Sequence, residues 1–459
     1  MTGQATRLQV SGHRFSIRRM QHALVRADVR MIDDPLRAQQ LSLASGTAVA
    51  VVAVALCAVL TMLRPGDDVG GAPVVVVAQT GALYVTVQTT VHPVPNLASA
   101  RLITGFTGAP KTVSQRAIDN ATRGPALGIP GAPGHLGQPS VPTESDWTVC
   151  DDEQGHTTVI AGSAQDLADE PRSNVLVALR GNPAATYLLH DGWRSRVDLR
   201  HPAVLRALEL DRAIPQPVSS TVLASLPEAP QIAPPRIPAA GASGPSVLGG
   251  LRVGAVFAVP ATAGGQDHYV VLSDGVQRIG QVVADLIRYT DPDAGHQIPV
   301  LAPDVVGGLP VRTSLAVATF PERAGAEPAP VVCTRWRPDG AVGTSHSTVV
   351  PAASLPSGRP PQRLVQADGA GPAVDAVAIP AGRHIFVRSS GLTGVGQQGG
   401  PLFLVTDTGM VFGVGDHDAA ARLGLTEPAV PAPWPILATL PRGPELTRHA
   451  ASVVRDAAP

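Results

Sequence analysis

Catalysis requires particular side chains at particular spacings, and few in this chain meet that demand. The chain contains one lysine, Lys111, within Gly105-Phe-Thr-Gly108-Ala-Pro110-Lys111-Thr112. Glycines ahead of a Lys-Thr pair suggest a phosphate loop, where backbone N–H groups cradle phosphate, the lysine supplies charge and the hydroxyl reaches Mg²⁺. Here Pro110 deletes the donor just before the lysine, and the glycine spacing is wrong, so a turn-rich loop is expected. Gly394-Val-Gly396-Gln-Gln-Gly399 has the letters of a dinucleotide fingerprint. That motif needs a following helix, whereas Pro401–Val405 reads as a strand. Asp416-His417-Asp418 could serve metal or acid–base chemistry, but no third ligand lies at helical spacing, which favours a solvated turn. Neither G-x-S-x-G nor H-E-x-x-H occurs. The sequence therefore assigns no catalytic, cofactor-binding or metal-binding residue, and no cofactor is expected.

The cysteines carry structural chemistry. Cys57 sits in an apolar run, while Cys150 and Cys333 each end a strand-like segment, Trp147-Thr-Val-Cys150 and Val331-Val332-Cys333. In an oxidising compartment a disulfide is the default for such a pair, with two free buried thiols as the alternative. Two cysteines with no histidine at ligand spacing cannot form a structural zinc site.

The elements that must position these residues follow from patterning. With 47 glycines, 45 prolines and only 3% aromatic residues, short strands packed by Ala, Val and Leu and joined by tight turns fit better than long helices. A net charge of −1 argues against nucleic-acid binding. Leu41–Leu63 has no charged residue, and its 23 residues would span roughly 34 Å as a helix, enough for a bilayer core. A buried soluble helix would carry a polar face. A cleavable signal peptide fits poorly with a 40-residue leader and no A-x-A site after Leu63. An uncleaved anchor is expected. Seven arginines against three aspartates precede it, which places the N-terminus in the cytoplasm and residues 64–459 outside. In the leader His13, Ile17, Met20, Leu24, Ala27 and Met31 recur at helical spacing, with Ser11 as a possible N-cap. This stripe could dock on a partner helix, rest on anionic lipid or belong to a solvated linker.

The outer region repeats itself. YLLHDG (187–192), YVVLSDG (269–275) and LFLVTDTG (402–409) each precede an apolar helical patch, a proline-bearing stretch and a Leu-Pro pair (226–227, 309–310, 440–441). A diverged first copy starts at Pro73, with Leu83–Val87 as a strand and Ala98–Leu102 as a short helix. Each unit reads as a hairpin plus helix that needs a neighbour to bury its apolar face. The stretches left over, about 145–180, 250–262 and 313–350, contain both outer cysteines and could form a central sheet. Pro227–Gly250 reads as a linker.

With these features in place, the chain resembles the EccB family of membrane core components of mycobacterial type VII (ESX) secretion systems. The resemblance is carried by RLQVSGHRFSIRRMQHALVRADVRM (7–31), TGALYVTV with HPVPNLASARLITG (80–105), RGPALGIPGAP (123–133), LVTDTG and LPRGPEL. It implies an α+β, single-pass inner-membrane protein with a cytoplasmic N-terminus. Its elongated periplasmic region would hold four lysin-like αβ repeats around a central disulfide-tied β-domain, the bond carried onto Cys150 and Cys333. The divisions expected are a leader (1–40), an anchor (41–63), linker plus first repeat (64–144) and a first central part (145–184). Then come the second repeat with its linker (185–249), the third repeat (250–312), a second central part (313–378) and the fourth repeat (379–459). The implied partners are EccC, EccD, EccE, the mycosin protease and other copies of the chain. Arg14, Phe15, Ile17, Met20, Leu24 and Met31 of the leader are the candidate partner contacts. The implied function is structural: assembling the periplasmic part of the complex and linking it to the cytoplasmic ATPase. Two alternatives stand beside it, ATP hydrolysis, with which the family is often labelled, and cell-wall binding.

Overall fold

The computed structural model describes residues 6–27, 29–30, 35–62, 68–139, 146–162, 174–261, 264–291, 297–339, 343–394 and 399–455. Two helices come first. Arg7–Arg26 is capped by Thr6, whose side chain accepts from the Gln9 N–H while the Gln9 side chain returns the bond, a capping box. Ser11 therefore lies inside the helix rather than at its start, because Thr6 with Gln9 three residues on satisfies two orphan donors at once. Ala27 ends the helix in the left-handed region, so only Met31 of the contact stripe falls beyond it, outside the described residues. Pro35–Met62 forms the second helix, and within it Gln39–Val59 is long and apolar enough to span a membrane, with a mean hydropathy of 2.2.

Beyond them, one unit is used four times around a separate central sheet. In the first copy Val74–Val77, Leu83–Val87 and Thr90–Val94 run antiparallel, and the helix Leu97–Thr104 follows. The strand Lys111–Val113 then returns parallel to the first strand, and after the short helix Gln115–Asp119 the chain bridges the third strand at Val91↔Arg123. The second copy repeats this order from Val175–Leu179, the third from Val256–Pro260 and the fourth from Arg383–Ser390. The Leu-Pro pairs mark one event: each ends the second short helix and releases the chain onto the edge of the third strand, at Glu228, Val311 and Arg442. Glu228–Ile232 is thus a strand of the second copy, and the linker begins after it.

The first strand of each copy lies ahead of the repeated sequence marks. Val175–Leu179 and Val256–Pro260 fall in the stretches that sequence alone left over for a central sheet, yet they pair within the second and third copies. Most of their side chains are buried, and a continuous apolar run does not reveal its pairing partner. The central sheet consists instead of Ser345–Ala352, Val331–Pro338, Trp147–Asp152, Thr157–Ala161, Ala376–Ala378 and Gln362–Arg363, in that spatial order. Cys150 and Cys333 are directly opposed in it and joined by a disulfide across 183 residues.

Packing is nested. Alternation along the central strands sends Trp147, Val149, Val332 and Trp336 to a face shared with the second and fourth copies, through Leu189, Val222, Ile385 and Leu437 among others. The first and fourth copies share a core of Leu102, Ile129, Phe412 and Leu423, and Val454–Arg455 pairs with Ala126–Leu127. The second and third copies share Val204, Leu208, Val282 and Leu286.

Asp151 locks the second copy to the sheet. Its buried carboxylate accepts from Thr157 Oγ1 at 2.8 Å, Ser219 Oγ at 3.0 Å, Arg180 Nη2 at 3.2 Å and the Ser219 N–H. Burial pushes this carboxyl above the usual range, and those donors oppose the shift. Replacing Asp151 with alanine leaves Arg180 and the Ser219 cap without their acceptor. The expected loss is about 3 kcal/mol or more, read as a lower urea midpoint for the full-length protein in detergent.

Candidate functional site

The fold uses the Lys111 segment and Asp416-His417-Asp418 for structure. Lys111 opens an edge strand, and its Nζ donates to the carbonyl oxygens of Asp68 at 3.0 Å and Val69 at 3.3 Å. Gly105, the first glycine of that segment, is the left-handed C-cap of the helix Leu97–Thr104. The backbone there closes a helix and joins a sheet, so it forms no cradle for phosphate. Of Gly394–Gly399, residues 395–398 lie outside the described residues, and Leu402–Thr406 beyond them is a strand. Asp416, expected in a solvated turn, instead caps the helix His417–Leu423 by accepting from the Ala419 N–H at 2.7 Å, and Asp418 pairs with Arg422 at 2.7 Å. Among the described residues no three His, Cys, Asp or Glu side chains converge to hold a metal ion.

One constellation escaped sequence reading. His190 Nε2 lies 3.0 Å from Ser195 Oγ, and its Nδ1 lies 3.6 Å from the Asp191 carboxylate. These are the residue types of a hydrolytic triad. His190 pairs with Trp193 across the turn Asp191–Gly192, where both turn residues have positive φ, and Ser195, opposite Leu188, lies diagonally next to His190 on the same face. A Cβ on Gly192 would sit 2.0 Å from the Ser347 carbonyl oxygen, so the turn is pressed onto the central sheet. The geometry fails as an active site. Ser195 is 1% exposed, which gives a substrate carbonyl no route to its hydroxyl, and the Asp191 contact is longer than a hydrogen bond. The trio is a buried polar pair beside a turn.

Two cavities open among the described residues. One of about 150 Å³ lies under Thr406–Thr408, bordered by Leu136, Phe412 and His384. Burial pushes the His384 imidazole below its ordinary value, and the Asp407 carboxylate there is held by the Gly382 N–H at 2.7 Å. An open groove of about 550 Å³ on the second copy holds Arg196 and Arg200, engaged with Tyr187 and Asp198 respectively. Neither brings a nucleophile and a base together.

Among the described residues, the leader helix buries His22 but leaves a line of apolar side chains open to solvent. Ile17, Met20 and Leu24 are 38%, 60% and 86% exposed, and at about 100° per residue they share one face. Arg14 flanks that face, one turn before Ile17. Phe15, 56% exposed, lies about 160° round from Ile17 and belongs to the opposite side with Leu8. The candidate contacts thus form two apolar lines rather than one.

The chain is similar to membrane components of type VII secretion systems over almost its whole length. The family described as "Type VII secretion system ESX-1, transport TM domain B" matches residues 2–459. The chain is 37% identical to the "ESX-3 secretion system ATPase EccB3" of Mycolicibacterium smegmatis, over 99% of this chain and 92% of that protein. It is 32% identical to the "ESX-5 secretion system ATPase EccB5" of Mycobacterium tuberculosis, over 100% and 95%. Among solved structures it is similar to a chain of an intact ESX-5 inner membrane complex, with TM-score 0.72 and 30% identity over 100% of this chain and 97% of that one. It is also similar to the EccB3 dimer from the ESX-3 core complex, with TM-score 0.69 and 34% identity over 83% and 100%.

If the His190–Ser195 pair is structural, Ser195→Ala strands an imidazole nitrogen in a dry site. It should cost about 1–3 kcal/mol in urea unfolding, while ester hydrolysis by the purified protein stays at the level of the unmodified chain. A hydrolysis rate that vanishes with the substitution would contradict this.

Proposed function

The chain belongs to the EccB family of type VII secretion membrane components, and on that premise we propose that it is a structural core subunit of an ESX inner-membrane complex. Its nested outer lobes assemble the periplasmic part, and its leader helix links that part to the cytoplasmic machinery. The observation that carries this reading is a division of labour along the chain. The chemistry-bearing motifs of the outer region are spent on caps, strands and ion pairs, and the leader presents apolar residues to solvent. A helix with Ile17, Met20 and Leu24 open to water gains stability from a partner that covers them.

In this reading the arginine-rich leader is cytoplasmic and residues beyond the anchor are periplasmic. The partners are the ATPase EccC, the multi-span EccD, EccE, the mycosin protease and further copies of this chain. A dimer of a relative and an inner-membrane complex containing another support self-association and complex membership in this family. The word ATPase in the relatives' names has no counterpart in the surroundings of Lys111, whose ammonium is bonded to carbonyl oxygens.

The test introduces Ile17→Asp with Leu24→Asp in the full-length chain, expressed with its cognate subunits. Burying carboxylates at an apolar contact costs at least ~2 kcal/mol. Recovery of EccC in detergent pull-downs should therefore fall about tenfold or more, with membrane insertion unchanged. Undiminished recovery would contradict the proposal.

A further inference from the structure

Six peptide steps separate Met62, the last residue of the anchor helix, from Asp68, so the two stand at most about 20 Å apart. From Asp68 onward the chain is already part of the first lobe. Val69 is buried with Val75, Val77, Val113 and Ile118. The Ala72 N–H donates to the Val69 carbonyl at 3.2 Å, and Thr86 Oγ1 donates to the Ala72 carbonyl at 2.8 Å. Across this entry point lies Lys111. Its backbone heads the strand paired in parallel with Val75–Val77, and its ammonium reaches back to the Asp68 and Val69 carbonyl oxygens. Gly70, with φ at +60°, makes room for it: a Cβ there would lie 2.8 Å from Nζ.

We propose that Lys111 is the lock at the entrance of the first lobe, where the chain coming from the membrane anchor joins its sheet. Two carbonyl oxygens converge on one cation, and an ammonium with three donors on a flexible stem satisfies both from a single point. The lock ties the incoming chain to an edge strand 42 residues later in sequence. The point at which the chain enters the first lobe is thereby fastened to the sheet of that lobe. This assigns a role to the lone lysine that a nucleotide-binding reading would have claimed, and it does not depend on which subunits the chain assembles with.

The experiment is hydrogen–deuterium exchange on the full-length protein in lipid nanodiscs, comparing it with Lys111→Met, which keeps the length of the side chain and removes the charge. Losing charge-assisted bonds should speed exchange at the amides of residues 69–72 by about tenfold or more. The strands Leu83–Val87 and Thr90–Val94 should keep their rates. Unchanged exchange at 69–72 would overturn the proposal. So would an equal rise through residues 68–119, which would make Lys111 a general support of the lobe rather than a lock at its entrance.

Discussion

Two consecutive residues of one central strand hold the outer region together. Cys150 closes a covalent link to Cys333 across 183 residues, and Asp151 beside it gathers Thr157, Arg180 and Ser219 onto a buried carboxylate. Neighbours on a strand point to opposite faces, so the disulfide secures one side of the sheet while the carboxylate fastens the second lobe on the other. In the chain-entropy picture, closing a loop of that length stabilises the fold by about 5 kcal/mol. Repeat units that bury little alone need such a fixed platform. The second and fourth lobes dock on it directly, and the third and first dock on those.

Much of this was legible in the sequence. The D-G and T-G turns, the helical patches and the Leu-Pro marks pointed to three of the units, with a diverged copy from Pro73 beside them, because turn chemistry and period-3.6 patterning are local signals. The anchor was equally plain. Strand pairing was not, since Val175–Leu179 is an apolar run that would suit any buried sheet, and only the structure shows it beside Asn182–His190. Parallel returns such as Lys111–Val113 against Val75–Val77 are decided by tertiary packing, to which no local residue pattern points. Thr6 was overlooked as the cap in favour of Ser11, although Gln9 at the third position beyond it was the available signal.

The functional features were legible to different degrees. Lys111 could be dismissed as a phosphate ligand from Pro110 alone, whereas its seat on the Asp68 and Val69 carbonyls depends on a contact 42 residues away. The Ser–His–Asp cluster was invisible because it depends on hairpin register, which makes His190 and Ser195 diagonal neighbours on one face. Of the candidate partner contacts, Ile17, Met20 and Leu24 share the face of the stripe, and helix geometry sets Phe15 on the opposite side. Beyond the anchor helix, polar residues such as Asp151 join lobe to sheet, whereas the described leader helix leaves Ile17, Met20 and Leu24 exposed.

The central claim is a chain divided by its membrane helix, with a scaffold on the outside and a docking helix on the inside. Protease added to intact spheroplasts tests it most directly, using an epitope tag at each end. The account predicts that the C-terminal tag and the lobes are digested while a fragment containing the leader and anchor survives. Loss of the N-terminal tag with residues 68–455 spared would contradict it.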